Sequence, residues 1–220
     1  MPVAFADLAQ TCAPTVQVET LSAVVSLESG FAPFAIRINS GTPLRDLPNT
    51  KAEAIELATT LIAQRQDVDL GLGGINADDL GRLELTVSDA FDPCLNLKAT
   101  ARLLDRYYRV AMGRGVSPGH AATMMLQAYY GRGDASVGEM VGYDKQVRDE
   151  ATRLAPTLVS LAINPANTSA SKDRVGEGPA SAPPAAASPG PRRDAKPAPW
   201  DVFATGRTSS VLVFQNEQSE

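Results

Sequence analysis

Glu28 is the residue whose type and placement could do chemistry. It lies in VETLSAVVSLESGF, residues 18–31, where Leu21, Val24 and Val25 recur at the spacing of a core-facing helical stripe. Glu28 follows them by seven, four and three positions, so a helix carries its carboxyl onto the same apolar stripe. Burial withdraws water from a carboxyl, disfavours its charged form and raises its pKa. Ser29-Gly30 reads as the end of the helix, with Gly30 able to take a left-handed cap conformation. The partial negative charge of that terminus pushes the pKa further up. A carboxylic acid that keeps its proton near neutral pH is what a general acid for glycoside cleavage requires. Two plainer readings stand beside this one: a structural Glu, buried and hydrogen-bonded, or one turned to solvent by a slightly rotated helix.

Other chemistries have little material. His120 is the sole histidine, so neither a conventional zinc site nor a nucleophile–base pair can be assembled around it. Sitting in SPGH, at the first turn of a helix, it reads as an exposed surface residue. No metal site and no cofactor is expected. Cys12 and Cys94 are the two cysteines, and they read either as a disulfide closing a loop of roughly 80 residues or as two independent buried thiols. A net charge of −5, with no basic cluster stronger than Arg192-Arg193, argues against a nucleic-acid surface. No apolar run approaches the length of a membrane span. The N-terminal MPVAFADLAQ lacks a basic n-region and is not read as a signal peptide; the expectation is a trimmed precursor or a cytosolic protein. In DVDLGLGGINADDL, residues 67–80, Gly71, Gly73 and Gly74 break any helix and allow close backbone approach to a ligand. A phosphate loop is disfavoured there, because no Lys-Ser/Thr follows and no strongly β-forming strand precedes.

The elements that must position these residues are mostly helices. At 220 residues the chain can bury one full-sized core with residues to spare. After the Glu28 helix, Ala32 to Asn49 reads as irregular, with Phe34, Ile36, Ile38 and Asn39 able to wall a groove. Thr50-Lys51-Ala52-Glu53 opens a helix with a capping-box pattern, its core face predicted at Ile55, Ala58 and Ile62. Asn76 or Asp78 caps a short helix containing Leu80 and Leu83. The longest helix is predicted over Leu95 to Met112, with Leu97, Ala101, Leu104, Tyr108 and Ala111 inward. Ser117-Pro118 starts another, with Ala122, Met125, Leu126 and Tyr129 on one face. Tyr129-Tyr130-Gly131 ends it, placing two phenols where a helix meets a loop. A last helix runs from about Tyr143 to Leu154. From Asn164 to Pro199 the composition turns to Pro, Ala, Ser and Gly, a disordered or extended linker. Beyond it, Trp200 to Phe214 reads as a strand-like peptide suited to docking on another protein's sheet edge.

Taken together, CAPTVQVETLSAVVSLESGFAPFAI, DLGLGGIN, AFDPC, LQAYYGRGD and GYDKQV resemble the lytic transglycosylases of type IV secretion systems, members of the goose-type-lysozyme-like superfamily. The resemblance covers residues 8 to 150. It implies a mainly α, lysozyme-like helical domain with a substrate groove over residues 1–160. A Pro/Ala/Ser-rich linker over 161–199 and a short partner-docking tail over 200–220 complete the expected organisation. It implies cleavage of the bond between N-acetylmuramic acid and N-acetylglucosamine in peptidoglycan, with Glu28 as catalytic acid beside Ser29. One carboxyl serves twice in that family, first protonating the leaving oxygen and then taking the proton of the sugar's own 6-hydroxyl to leave an anhydromuramic end. The family's Gly-Leu-x-Gln-Ile-Asn motif falls on Gly71, Leu72, Gly73, Gly74, Ile75 and Asn76, with Gly74 where the sugar-holding Gln stands. Its Ala-Tyr-Asn motif falls on Ala128, Tyr129 and Tyr130, with Tyr130 replacing Asn, and its late tyrosine on Tyr143. Substrate binding is therefore expected at Ser29, Gly71, Leu72, Gly74, Ile75, Asn76, Tyr129, Tyr130 and Tyr143. The resemblance further implies a Cys12–Cys94 disulfide and a periplasmic setting. Peptidoglycan strands are the implied partner, together with secretion-system proteins bound through Trp200–Phe214. Gly74 keeps a second reading open, a weakly active or inactive wall-binding assembly module; a lysozyme-type hydrolase is a third.

Overall fold

The computed structural model describes residues 3–163; the docking tail and all but the first three linker positions lie outside the described residues. A short strand β1 (Val3–Ala4) leads into α1 (Phe5–Cys12) and then α2 (Val18–Ser29), which carries Glu28. Leu21, Val24 and Val25 are fully buried, as their spacing predicts, and Gly30 closes the helix in the left-handed region at φ 58°.

The stretch after α2 corrects the sequence reading. Ile36–Ile38 forms β2, paired antiparallel with β3 (Val68–Leu70), and the chain turns through Gly71–Gly74 into β4 (Ile75–Asn76). A strand therefore does precede the glycine loop. Its register sets Ile36 opposite Leu70 and Arg37 opposite Asp69. Val68-Asp69-Leu70 alternates apolar and charged residues, yet all three are buried, because Asp69 is paired with Arg37 on β2; burial against partners, not intrinsic propensity, makes it a strand.

Between β2 and β3, α3 (Lys51–Ala63) opens with Thr50 Oγ1 accepting from the Glu53 amide. The Glu53 carboxylate reaches the Asn49 amide, so the box closes one residue early. The buried face is Ala54, Ala58 and Leu61, rotated from the predicted Ile55, Ala58 and Ile62; small alanines let the helix approach the core closely, while the two isoleucines pack at its edge. Asn76 caps a 3-10 turn, Ala77–Asp79, that runs into α4 (Leu80–Leu83), with both leucines buried. Next come α5 (Val87–Ala90) and α6 (Pro93–Met112), which begins earlier than predicted because Asp92 caps it and Pro93 fits its first position. Leu97, Ala101, Leu104 and Ala111 point inward as expected, but Tyr107, not Tyr108, takes the remaining buried place. In α7 (Pro118–Tyr130), capped by Ser117, the buried residues are Ala121, Leu126, Ala128 and Tyr129; the predicted Ala122 and Met125 are only partly covered, and His120 is exposed.

An unanticipated short helix, α8 (Ala135–Val141), precedes α9 (Tyr143–Leu154), whose bounds are those predicted. A 3-10 turn then leads to β5 (Ala162–Ile163), which pairs with β1. α6 packs on α7 and α2 on α9. A disulfide joins Cys12 to Cys94, tying the end of α1 to the start of α6 over a cluster that includes Phe5, Leu21, Val25, Leu72 and Leu97. The domain is thus mainly α and lysozyme-like, with a small sheet set beside the helices. No described helix is long and apolar enough to cross a membrane.

Candidate active site

Glu28 stands one residue before the end of α2, and its side chain is only 4% exposed. Its two oxygens have different surroundings. Oε1 accepts a 2.6 Å hydrogen bond from the Tyr143 hydroxyl at the start of α9. Oε2 is buried and has no hydrogen-bond donor. Arg37 Nη2 lies 2.7 Å from it, near enough for an ion pair but off the line of a hydrogen bond. Burial raises the pKa of Glu28, outweighing the lowering effects of Arg37 and the Tyr143 bond; Asp69 adds to the rise. Burial also lifts the Tyr143 phenol well above its ordinary range, and Glu28 adds to it, so Tyr143 remains a donor.

The sheet supplies a charge network around this carboxyl. Arg37 on β2 donates from Nε and Nη2 to Asp69 Oδ2 on β3, at 3.1 and 2.8 Å. Asp69 Oδ1 accepts from Asn76 Nδ2 at 2.8 Å and from Arg132 Nη2 at 3.2 Å. Arg132 also grips Asp67 with two 2.9 Å bonds. Partial burial would raise the pKa of Asp67, but bonds from Arg132, Asn76 and Asn39 hold it below the usual range. Two arginines face two aspartates, so the set is neutral while Glu28 keeps its proton and carries one unmatched negative charge when it does not. Charge balance and desolvation both favour the neutral acid.

The glycine loop is held on three sides. Ser29 Oγ lies 2.7 Å from the Leu72 carbonyl. Asn96 on α6, fully buried, donates to the Leu70 and Ala90 carbonyls and accepts from the Gly73 amide at 2.7 Å. The Tyr129 hydroxyl donates to the Gly73 carbonyl at 2.6 Å; burial, with Glu28 nearby, raises its pKa. Gly74 sits at φ +63°, and a Cβ there would meet Glu28 Oε2 at 3.0 Å and Glu28 Cβ at 3.3 Å. A side chain at position 74 therefore requires Glu28 to give by a few tenths of an ångström.

A small cleft opens over these groups, lined by Glu28, Arg37, Asp69, Gly74, Asn76, Asp79, Leu103, Tyr107, Tyr129, Tyr130 and Arg132. Of the residues expected from sequence, Glu28, Gly74, Asn76, Tyr129 and Tyr130 line it, and Tyr143 stands behind Glu28. Tyr130 is 40% exposed, its ring 5.1 Å from that of Tyr143 and tilted by 35°. Leu72 and Ile75 are fully buried in the core. Gly71 packs against Ala90 and Asn96, and the Ser29 hydroxyl is turned to backbone, so these four shape the loop without facing the cleft. The sequence reading missed Arg37, Asp69, Asn96 and Arg132. The one signal available was their type: Arg37 and Asp69 are charges each set between two apolar residues, which demands partners where the segment is buried. Among the described residues, no three His, Cys, Asp or Glu side chains converge as metal ligands.

Residues 7–152 match the family described as the transglycosylase SLT domain, and the chain belongs to that family. The type IV secretion system protein virB1 of Brucella abortus biovar 1 (strain 9-941) is 42% identical over 110 residues, covering 50% of this chain and 46% of the relative. Protein virB1 of Agrobacterium fabrum (strain C58 / ATCC 33970) is 31% identical over 162 residues, covering 72% of this chain and 65% of the relative. The chain spans about half the length of the Brucella relative it matches. No solved structure matches it.

Proposed function

We propose that this chain, as a member of the transglycosylase SLT family, cleaves the bond between N-acetylmuramic acid and N-acetylglucosamine in peptidoglycan, with Glu28 as acid and then base. The observation that carries this reading is the asymmetry of the Glu28 carboxyl: Oε1 is held by Tyr143, while Oε2 is buried without a hydrogen-bond donor at the cleft. In the first step Oε2 gives its proton to the glycosidic oxygen as the bond from that oxygen to C1 of the muramic sugar breaks. In the second, the carboxylate takes the proton of the same sugar's 6-hydroxyl as O6 bonds to C1. The product is an anhydromuramic end, Glu28 has its proton back, and no water is consumed.

A lysozyme-type hydrolase needs a second carboxylate, and Asp69 is close, since it and Glu28 both touch Arg37 Nη2 within 2.8 Å. Asp69 is fully engaged, however: Oδ2 takes two bonds from Arg37, and Oδ1 one each from Asn76 and Arg132. A carboxylate with its lone pairs so occupied is a poor nucleophile, which favours the non-hydrolytic route. Gly74, Asn76, Tyr129 and Tyr130 form the sugar-facing surface in this reading, with the half-exposed Tyr130 ring offering a stacking face. The Brucella relative is named as a type IV secretion system protein, which supports a place in such a system; a periplasmic setting and local opening of the cell wall during its assembly belong to the same proposal.

Digestion of purified peptidoglycan by the parent protein and by Glu28→Gln, read by mass spectrometry, tests this. Anhydromuramic products from the parent alone are expected. Reducing ends would make the protein a hydrolase. Absence of products with glycan binding intact would favour the assembly module, for which the bare position at Gly74 is the supporting observation.

A further inference from the structure

One guanidinium lies against the carboxyl oxygen assigned to the proton transfer. Arg37 Nη2 is 2.7 Å from Glu28 Oε2, yet Oε2 receives no hydrogen bond, while Nε and Nη2 both donate to Asp69 Oδ2. Asp69 is in turn fixed on its other oxygen by Asn76 and Arg132, so Arg37 cannot swing away without breaking that pair. A guanidinium has only donors and stays charged, so it cannot accept the Glu28 proton. A fixed cation at this range attracts a carboxylate far more strongly than a neutral carboxyl. Its off-line approach also leaves an Oε2 lone pair free to receive a proton from the cleft.

We propose that Arg37 is a positioning residue for Glu28: anchored by Asp69, it holds the carboxylate that remains once the proton has left, and so lets one carboxyl serve as acid and then as base. This rests on the reading of Glu28 given above.

The other groups around Glu28 do not supply this. Asp69 on β3 is negative, and Tyr129 on α7 and Tyr143 on α9 are neutral phenols. Glu150 on α9 is bound to Ser26 and Arg153. Arg132 and Asp79, which line the same cleft, are paired with Asp67 and Asp69 and with Arg82 respectively. Among the described residues, Arg37 is the one cation in contact with the Glu28 carboxyl. Its own charge is secure: burial alone would weaken it, but Glu28 and Asp69 outweigh burial and hold it protonated. Without Arg37, burial and Asp69 act on Glu28 with less to oppose them, and the carboxyl becomes a weaker acid.

The test uses the full chain with Arg37→Gln and Arg37→Lys and two independent readouts. The first is direct titration of the Glu28 carboxyl by carbon-13 NMR of glutamate-labelled protein, the signal assigned by its loss in Glu28→Gln. The second is the pH profile of kcat and KM on glycan strands. In Arg37→Gln the Glu28 titration is expected to move up by at least about one unit, tenfold in proton affinity. The alkaline limb of kcat follows it, and kcat near neutral pH falls roughly tenfold or more while KM changes little. Arg37→Lys keeps the charge but not the fork to Asp69, and is expected to recover part of both. An unmoved titration and alkaline limb would overturn the proposal, as would an unchanged kcat with a raised KM, which would make Arg37 a sugar contact. Should Arg37→Gln not fold, Arg37→Lys decides: an intermediate shift supports the proposal and no shift overturns it. The titration needs no turnover, so a parent without activity defeats the reading of Glu28, while the titration still decides whether Arg37 holds the carboxylate.

Discussion

Gly74→Gln, which restores the residue found in the family motif, is expected to damage this protein. At φ +63° any L residue meets its own carbonyl, a cost of about 1–2 kcal/mol. The new Cβ would also stand 3.0 Å from Glu28 Oε2 and 3.3 Å from Glu28 Cβ. The carboxylate end of Glu28 can yield, but its Cβ is fixed by the helix, so a further overpacking cost of about 1–2 kcal/mol follows. Together these predict a loss of roughly 2–4 kcal/mol, or about 5–15 °C in Tm for a domain of this size. The damage to activity is of a different kind: relieving these contacts shifts the carboxyl by a fraction of the ~1 Å misplacement that can cost on the order of 100-fold in rate, so a loss of roughly 10-fold is expected. Because the harm starts at Cβ, Gly74→Ala is expected to lose most of what Gly74→Gln loses. Thermal unfolding and the initial rate of anhydromuramic release, measured on both variants, check this. A Gly74→Gln protein that matches the parent in Tm and digests faster would refute the reasoning, and would mean that the loop relaxes to a φ a side chain can adopt.

Two further outcomes follow from the site and its supports. Because the pKa of Glu28 is raised above 4.5 in the folded protein, the folded state binds this proton more tightly than the unfolded state. That stability is fully present below the unfolded value and is lost as pH rises through the folded one. The Tm of the parent relative to Glu28→Gln should therefore decline as pH rises from 4.5 through the folded-state value; a constant difference would contradict a buried neutral acid. The disulfide closes a separation of 82 residues, so its reduction should lower unfolding free energy by about 4 kcal/mol. Urea titrations with and without reductant measure this, and a change below about 1 kcal/mol would show that the packing under Cys12 and Cys94 suffices without the bond.

Local patterns were legible because they depend on neighbours within a turn or two. The stripe of Leu21, Val24 and Val25 with Glu28 in line, the Gly30 cap, the Ser117-Pro118 start of α7 and the bounds of α9 are all written in spacing and cap chemistry. The buried face of α3 was read one residue out of place at both ends: Ala58 is buried as read, but Ala54 and Leu61 take the places expected of Ile55 and Ile62, because the helix is rotated by its packing on the core. The sheet was missed: its strands are only three residues long, so the alternation in Ile36–Ile38 and Val68–Leu70 is too brief to stand out, and their pairing spans some thirty residues of chain. With the sheet went the charge network, since Arg37, Asp69 and Arg132 meet only after β2 pairs with β3 and α7 packs over them. The sequence by itself put one carboxyl in line with an apolar helical stripe and marked a glycine loop elsewhere in the chain. Only the tertiary structure decided which of its oxygens is held by Tyr143, which faces Arg37 without a hydrogen bond, and that Gly74 lies against it. Those properties depend on directions and distances between distant segments, which helical periodicity and cap chemistry do not encode.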